Sequence, residues 1–291
     1  MTDRPLTWVP HPRQTKVALP IGATDCHCHI FGPTARFPYA EDAKFRPADA
    51  PKEALFALHD QMGIGRCVIV QSGCHGFDNS VVTDAMQARP GRYLGIALTP
   101  PDVDDATLDL LAAQGYRGVR FNYMSHLAPG ASTAQLQALA PRLSARGMHL
   151  QIHMDAELID TLGPVLAALP CTVVIDHMGR VDAGLGLDQA PFQALLRLLD
   201  QPNLWCKVSG SERLSRQDPP YADAVPFARA IVARFGDRTV WGTDWPHPNF
   251  RADPPDDGDL FDLLDQIAPT PAALQALMVD NPTQLYRFEE N

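Results

Sequence analysis

Residues 23–30 read ATDCHCHI, and the fold turns on whether this run is one strand of a repeating series or an isolated metal-binding knuckle. Seven further short apolar runs follow it: RCVIVQ at 66–71, YLGIAL at 93–98, GVRFN at 118–122, HLQIHM at 149–154, TVVIDH at 172–177, LWCKVS at 204–209 and TVWGTD at 239–244. Helix-length segments separate them, such as PKEALFALHDQMG before the second and ASTAQLQALAPRLSARG before the fifth. In the latter, Leu136, Leu139 and Leu143 recur at spacings of three and four, which gives one apolar helix face. Gly63, Gly65, Gly115 and Gly147 fall where these helices should stop. Strands alternating with crossover helices imply a parallel sheet. Eight such units in one chain predict an α/β fold closed as a (β/α)8 TIM barrel. An open doubly wound sheet would use fewer strands, and no GxGxxG turn follows the first run. Residues 1–20 and 31–52 look irregular and proline-rich. The expected organisation is an N-terminal arm, 1–20, followed by a single barrel domain over 21–291, with a long first loop that carries Phe45 and Arg46.

The bulk properties agree with one large core. The chain has 291 residues, 45% of them hydrophobic, and such barrels commonly need about 250. A net charge of -10 with no basic block gives no nucleic-acid footprint, so any anionic ligand must be held by local arginines. The opening residues MTDRPLTWVPHPRQ lack an apolar signal region, and the longest apolar tract, LGPVLAALPCTVVI, is too short to span a bilayer. A soluble, cytoplasmic protein without membrane partners is expected. The six cysteines are scattered, unlike a disulfide scaffold or a CxxC knuckle, and read as reduced thiols.

Barrels of this kind carry their chemistry at the C-terminal ends of the strands. The first run ends in His27, Cys28 and His29, the fifth in His153, the sixth in Asp176 and His177, and the eighth in Asp244. On an extended segment His27 and His29 share one face, and Cys26 and Cys28 the other. The imidazoles are therefore expected to act together at the barrel mouth while the sulfurs pack outside. Imidazoles with a carboxylate suit zinc, which in catalytic sites takes three protein ligands and a water. His27, His29, His153 and Asp244 form the expected metal set, with Zn2+, another divalent cation or no metal as the alternatives. Asp244 alone could cap a helix, but Pro246 and Pro248 make a poor helix start. His177 either orients a ligand or satisfies the backbone, and the ligand role is preferred. His75 lies just past the second run and either lines the mouth or makes a loop hydrogen bond. His11, His59, His149 and His247 read as structural or surface residues.

The segments DCHCHIFGP, VIVQSGCHG, GVRFNYM, VVIDHMGR and VWGTDWPHPN resemble the amidohydrolase superfamily, in the branch that contains 2-pyrone-4,6-dicarboxylate lactonase and 4-sulfomuconolactone hydrolase. The likeness runs from about residue 20 to 288. It implies a barrel that hydrolyses a small anionic lactone in the breakdown of aromatic or sulfonated aromatic compounds. It also implies that His27, His29, His177 and Asp244 are active-site residues and that Arg120, Arg180 and Arg213 contact the substrate anion. As the resemblance has it, the pyrone-dicarboxylate enzyme works without metal and carries a tyrosine in place of His153 and an arginine in place of His126. Both departures favour a metal-dependent hydrolase of the sulfomuconolactone type, with His126 and His75 as further substrate contacts. The metal-independent lactonase is the alternative, and a zinc-dependent decarboxylase of an aromatic acid is a further one.

The expected chemistry follows from these assignments. Zinc would bring a bound water toward a pKa of about 7, Asp244 would take its proton, and His177 would hydrogen-bond the hydroxide or the carbonyl oxygen. No GxSxG elbow is present, so a serine nucleophile is not expected. A non-enzymatic barrel that only binds an aromatic acid would not need these acid and base groups.

Overall fold

The computed structural model describes residues 5–125, 130–250 and 253–288. Eight parallel strands follow one another around a single sheet in chain order: β1 Thr24–Cys28, β2 Arg66–Val70, β3 Tyr93–Ala97, β4 Tyr116–Tyr123, β5 His149–Met154, β6 Val173–Ile175, β7 Leu204–Lys207 and β8 Thr239–Val240. Each coincides with one of the eight apolar runs, β4 reaching past its run at both ends. Backbone bonds from Cys26 N to Trp241 O (2.9 Å), Asp244 N to His27 O (2.7 Å) and His29 N to Trp245 O (2.7 Å) join the segment after β8 to β1. The first and last strands thus meet, and the sheet is a (β/α)8 barrel.

Helices α1 Lys52–Met62, α2 Ser80–Ala88, α3 Asp105–Ala113, α4 Thr133–Ser144, α5 Ile159–Ala167 and α6 Ala190–Leu199 alternate with the strands. Leu136, Leu139 and Leu143 of α4 are buried, as their spacing predicts. Ser132 and Gln135 close its N-terminus as a capping box, which satisfies amides the helix cannot. Gly63, Gly115 and Gly147 stand just after helices with positive φ. Gly65 does not; a Cβ there would stand 3.3 Å from the Gly22 Cα.

Two apolar layers result. Cys67 and Ile69 point outward into the large cluster shared with helix residues such as Leu55 and Leu58. Val68, Val70, Leu94, Ile96 and Trp205 form a smaller inner cluster closed by Tyr286 and Phe288. Residues 5–23 carry no helix or strand but are tied down: Arg13 pairs with Asp259 and Asp262, and Trp8 packs edge-on against Trp245 at 5.2 Å. Among the described residues no helix is long and apolar enough to cross a membrane. All six cysteines are free and buried.

The strict alternation expected for β1 fails at one place. Asp25 pairs with Cys67 and Cys28 with Ile69, so β1 spends three residues where β2 spends two. This bulge puts Cys26 in the inner cluster, while Cys28 packs in the outer one. The two sulfurs therefore lie on opposite faces rather than together outside. A bulge re-aims the side chains that follow it, and here those are His27 and His29.

Candidate active site

Asp25 holds the bulge in place. Its Oδ1 accepts from His27 N (3.0 Å) and Thr243 N (3.1 Å), and its Oδ2 from Thr243 Oγ1 (2.7 Å). One buried carboxylate thus fastens the end of β1 to the segment leading to Asp244. Gly242 is required there, because a Cβ at that position would stand 2.3 Å from His27 N.

The outcome is a convergence on one atom. The Nε2 atoms of His29, His27 and His177 lie 3.2, 3.6 and 3.8 Å from Asp244 Oδ1. The other oxygen, Oδ2, accepts from Arg213 Nε at 2.8 Å and lies 2.6 Å from its Nη2 as an ion pair. Burial alone would push the Asp244 carboxyl up, but the Arg213 guanidinium on Oδ2 outweighs it and holds it well below the usual carboxylate range. Burial, with Lys207 behind the ring, lowers His27 to about 3. His177 and His153 are also held well below the ordinary imidazole value by burial. The His27, His153 and His177 rings are neutral and the carboxylate charged.

His177 and Arg180 reach the site through an unusual backbone. His177, Met178, Gly179 and Arg180 all have positive φ, at 46, 52, 64 and 56°. A left-handed turn costs non-glycine residues roughly 1–2 kcal/mol each, so the surroundings must impose it. Gly179 N bonds back to Asp176 O at 2.9 Å, Met178 is wholly buried, and His177 Nδ1 meets Ser209 Oγ at 3.0 Å. A Cβ on Gly210 would stand 2.9 Å from that Nδ1, so the ring's place depends on this glycine. Strain of this kind gathers at functional sites.

The group opens into a cavity of about 880 Å³ whose wall includes His29, His75, Phe45, Arg120, His153, His177, Arg180, Arg213 and Asp244. The predicted residues other than His27 and His126 thus share this cavity wall. His27 lies directly behind it, and His126 lies outside the described residues. Arg120 Nε stands 3.0 Å from Asp176 Oδ2. Burial lowers Arg180 to about 10, with Arg213 acting in the same direction. His75 Nδ1 bonds to Pro38 O at 3.2 Å, so it both lines the cavity and ties a loop. Phe45 of the first loop packs edge-on against Phe31, which stacks on His29.

The donor set fits a divalent cation. His29 Nδ1 faces Val70 O at 2.7 Å and must donate to it, because a carbonyl only accepts. Its Nε2 lies 3.2 Å from Asp244 Oδ1, a separation that a shared proton or a cation fills. His27 Nε2 is buried with no hydrogen-bond partner. The atoms of His27, His177 and Asp244 lie within 4.8 Å of one another, as holding one ion requires. His153 stands to the side: its Nδ1 meets Asn122 Oδ1 at 3.2 Å and its Nε2 has no partner among the described residues. In this arrangement His177 occupies the place near Asp244 that the sequence reading gave to His153.

Sequence reasoning placed Asp176 at a strand end without a role and missed Gln151 and Lys207 behind the histidines. Asp176 Oδ2 accepts from Gln151 Nε2 at 3.0 Å, and its Oδ1 lies 3.4 Å from His27 Nδ1. Lys207 is fully buried there, its ammonium pushed down by burial while Asp176 opposes the shift. The signal was legible: a lysine, a glutamine and an aspartate inside apolar strand runs have to be paired when buried.

The chain is similar to several known proteins. A 2-pyrone-4,6-dicarboxylate hydrolase of Comamonas testosteroni is 43% identical, the match covering 98% of this chain and 96% of that one. A 4-sulfomuconolactone hydrolase of Hydrogenophaga intermedia is 37% identical over 95% of this chain and 92% of its own. A crystal structure from Acinetobacter baumannii, described as a "probable 2-pyrone-4,6-dicarboxylic acid hydrolase" with citric acid bound, superposes with a TM-score of 0.80 at 28% identity, covering 92% of this chain and all of that one. The amidohydrolase family model matches residues 24–288, from the first residue of β1 to the end of the described chain, and the chain belongs to that family.

Proposed function

We propose that this chain is a cytoplasmic hydrolase that opens a small lactone bearing acidic groups, of the 4-sulfomuconolactone type. One observation carries the reading: three imidazoles and an ionised carboxylate converge at the base of a cavity whose wall also presents Arg120 and Arg180. Relatives named for such lactones support it.

Arg180 and Arg120 hold the substrate's carboxylate or sulfonate, since guanidinium forks match these anions. That grip turns the ring carbonyl toward Asp244. Water attacks the carbonyl carbon, Asp244 Oδ1 takes its proton, and the ring C–O bond breaks with the proton passing to the departing oxygen. Arg213 on Oδ2 keeps the carboxylate from rotating during the transfer. His27, His29, His177 and Asp244 would hold a divalent cation, zinc by donor type, with His153 close by. When bound, such an ion lowers the pKa of water toward about 7, the complement that a carboxylate held so low requires.

A second reading, hydrolysis of 2-pyrone-4,6-dicarboxylate without metal, is favoured by the 43% identity to the Comamonas protein and by the Arg213 ion pair that already balances Asp244. Both lactones are assayed for ring opening before and after chelation, with metal content measured alongside. Opening of the sulfolactone, lost on chelation and restored by zinc, supports the first reading. Metal-independent opening of the pyrone supports the second. Opening of neither, or carbon dioxide release from an aromatic acid, overturns both.

A further inference from the structure

Among the described residues the cavity wall carries Lys44, Arg120, Arg180 and Arg213 as permanent cations. Two of them already face carboxylates. Arg213 pairs with Asp244 and Glu212, and Arg120 Nε stands 3.0 Å from Asp176 Oδ2. Arg180 and Lys44 make no ion pair among the described residues.

These two cations belong to opposite sides of the mouth. Arg180 follows β6. Lys44 sits in the first loop, which is fastened over the end of β2: Ala40 N bonds to Cys74 O at 2.9 Å, and His75 Nδ1 to Pro38 O at 3.2 Å. Arg46 Nη2 donates to Ala40 O and Glu41 O, both at 2.9 Å, and so holds the turn that carries Lys44. Because the strands follow chain order around a closed sheet, β2 and β6 stand across from each other.

A second polar group waits on the Lys44 side. Thr99 follows β3, the neighbour of β2, and Asn79 fixes its place by taking both backbone groups of Leu98: Oδ1 accepts from Leu98 N at 3.0 Å and Nδ2 donates to Leu98 O at 2.9 Å. Thr99 lines the cavity, is 4% exposed, and its hydroxyl has no hydrogen-bond partner among the described residues. Buried hydroxyls are normally paired, and the cavity is where this partner can come from. Asp42 of the same loop also lines the cavity and offsets part of the Lys44 charge, so selection of an anion on this side needs the directional Thr99 donor as well as the ammonium.

We infer that Thr99 and Lys44 form a second anion contact across the cavity from Arg180, and that the chain selects a lactone with acidic groups on opposite sides of its ring. Arg180 takes one group, and the Thr99 hydroxyl and Lys44 ammonium donate to the other. A lactone with a single acidic group leaves the Thr99 hydroxyl buried and unpaired, and sites built to hydrogen-bond a substrate group reject analogues that lack it. The inference rests on the acidic-lactone reading of this cavity.

The test is calorimetric binding of benzene-1,3-dicarboxylate and of benzoate to the protein as purified. The parent should bind the dicarboxylate more tightly. Thr99→Val should weaken the dicarboxylate about 10-fold, as loss of a charge-assisted hydrogen bond predicts, and Lys44→Met about 5-fold, less because the ammonium is exposed to solvent. Both should leave benzoate within twofold, and Thr99→Ser, which keeps the hydroxyl, should bind as the parent does. Equal binding of the two probes by the parent overturns the inference. So does unchanged dicarboxylate affinity in either variant, or an equal loss for both probes, which is what a merely structural role would give. Lactone turnover is not read, so a parent that opens no lactone but shows this pattern loses the substrate reading and keeps the second contact.

Discussion

Strand β1 carries a cluster of metal-loving atoms on each face, and only one resembles an active site. On the outer face Cys28, His59 and Cys67 bring their ligand atoms within 4.8 Å of one another, as His27, His177 and Asp244 do on the inner face. All six are buried. Outside, however, both His59 ring nitrogens are engaged, Nδ1 with Tyr93 Oη at 2.5 Å and Nε2 with Asp25 Oδ2 at 3.2 Å. Burial pushes the Cys28 thiol up to about 11 and Cys67 well above its usual value, so the sulfurs remain thiols in contact at 3.2 Å. None of the three lines the cavity. Inside, His27 Nε2 is unmet among the described residues, His29 Nε2 faces the Asp244 carboxylate at 3.2 Å, and both His29 and Asp244 line the cavity. Proximity of donors does not make a site; unmet bonding capacity next to an opening does.

The contrast can be broken at several points. Asp244→Asn should lower kcat about 10³- to 10⁴-fold, the scale of a lost general base, in protein that melts as the parent does. Turnover within tenfold of the parent would remove Asp244 from its role. Arg180→Met should raise KM about 10- to 100-fold with a much smaller change in kcat, as loss of one charge-assisted contact predicts; steady-state kinetics on the preferred lactone separate the two. A drop confined to kcat would move Arg180 from holding the anion to the chemistry.

Stability should respond to pH as well. His27 and His149 are lowered to about 3, and His153 and His177 well below the ordinary value, so between about pH 6.5 and 5 the unfolded chain takes protons that the folded one refuses. Stability present above about pH 6.5 is therefore lost as pH falls, by about 1.4 kcal/mol per unit for each such histidine. Denaturant melts at stepped pH read this directly, and a flat profile would contradict neutral buried rings. Smallest of all, Cys28→Ala with Cys67→Ala should cost about 1 kcal/mol per site as small cavities, leaving turnover and metal content unchanged. A fall in bound metal would make the outer cluster a site after all.

The barrel was open to sequence reasoning because each strand is an apolar run and each run is bounded by helix-length segments. Strand ends follow from that, and with them His29, His153, His177 and Asp244 as candidates for one mouth. What periodicity could not show was the extra residue in β1, since an inserted residue breaks the period-two rule used to assign faces. Cys26 was therefore placed outside. The left-handed turn was hidden too, because only Gly179 in HMGR suits it and three of its four residues do not. Lys207 and Asp25 were visible as charges in buried strands, but their partners come from other strands and only the closed sheet brings them together.

That turn from His177 to Arg180 also constrains how this site could be moved or remade. Its two functional side chains are carried by the mirror image of an ordinary helical turn. Regularising the segment into right-handed geometry, as idealised backbone design would do, would redirect the histidine and the arginine together without changing any side chain. A transplant onto another barrel must therefore carry the packing of Met178 and the bare Gly210 as well as the reactive groups. Within this scaffold, variation that retunes anion recognition at Arg180 through the backbone would also disturb His177, so natural or directed changes of substrate are better sought at cavity-lining residues outside that turn, such as Phe45 and His75.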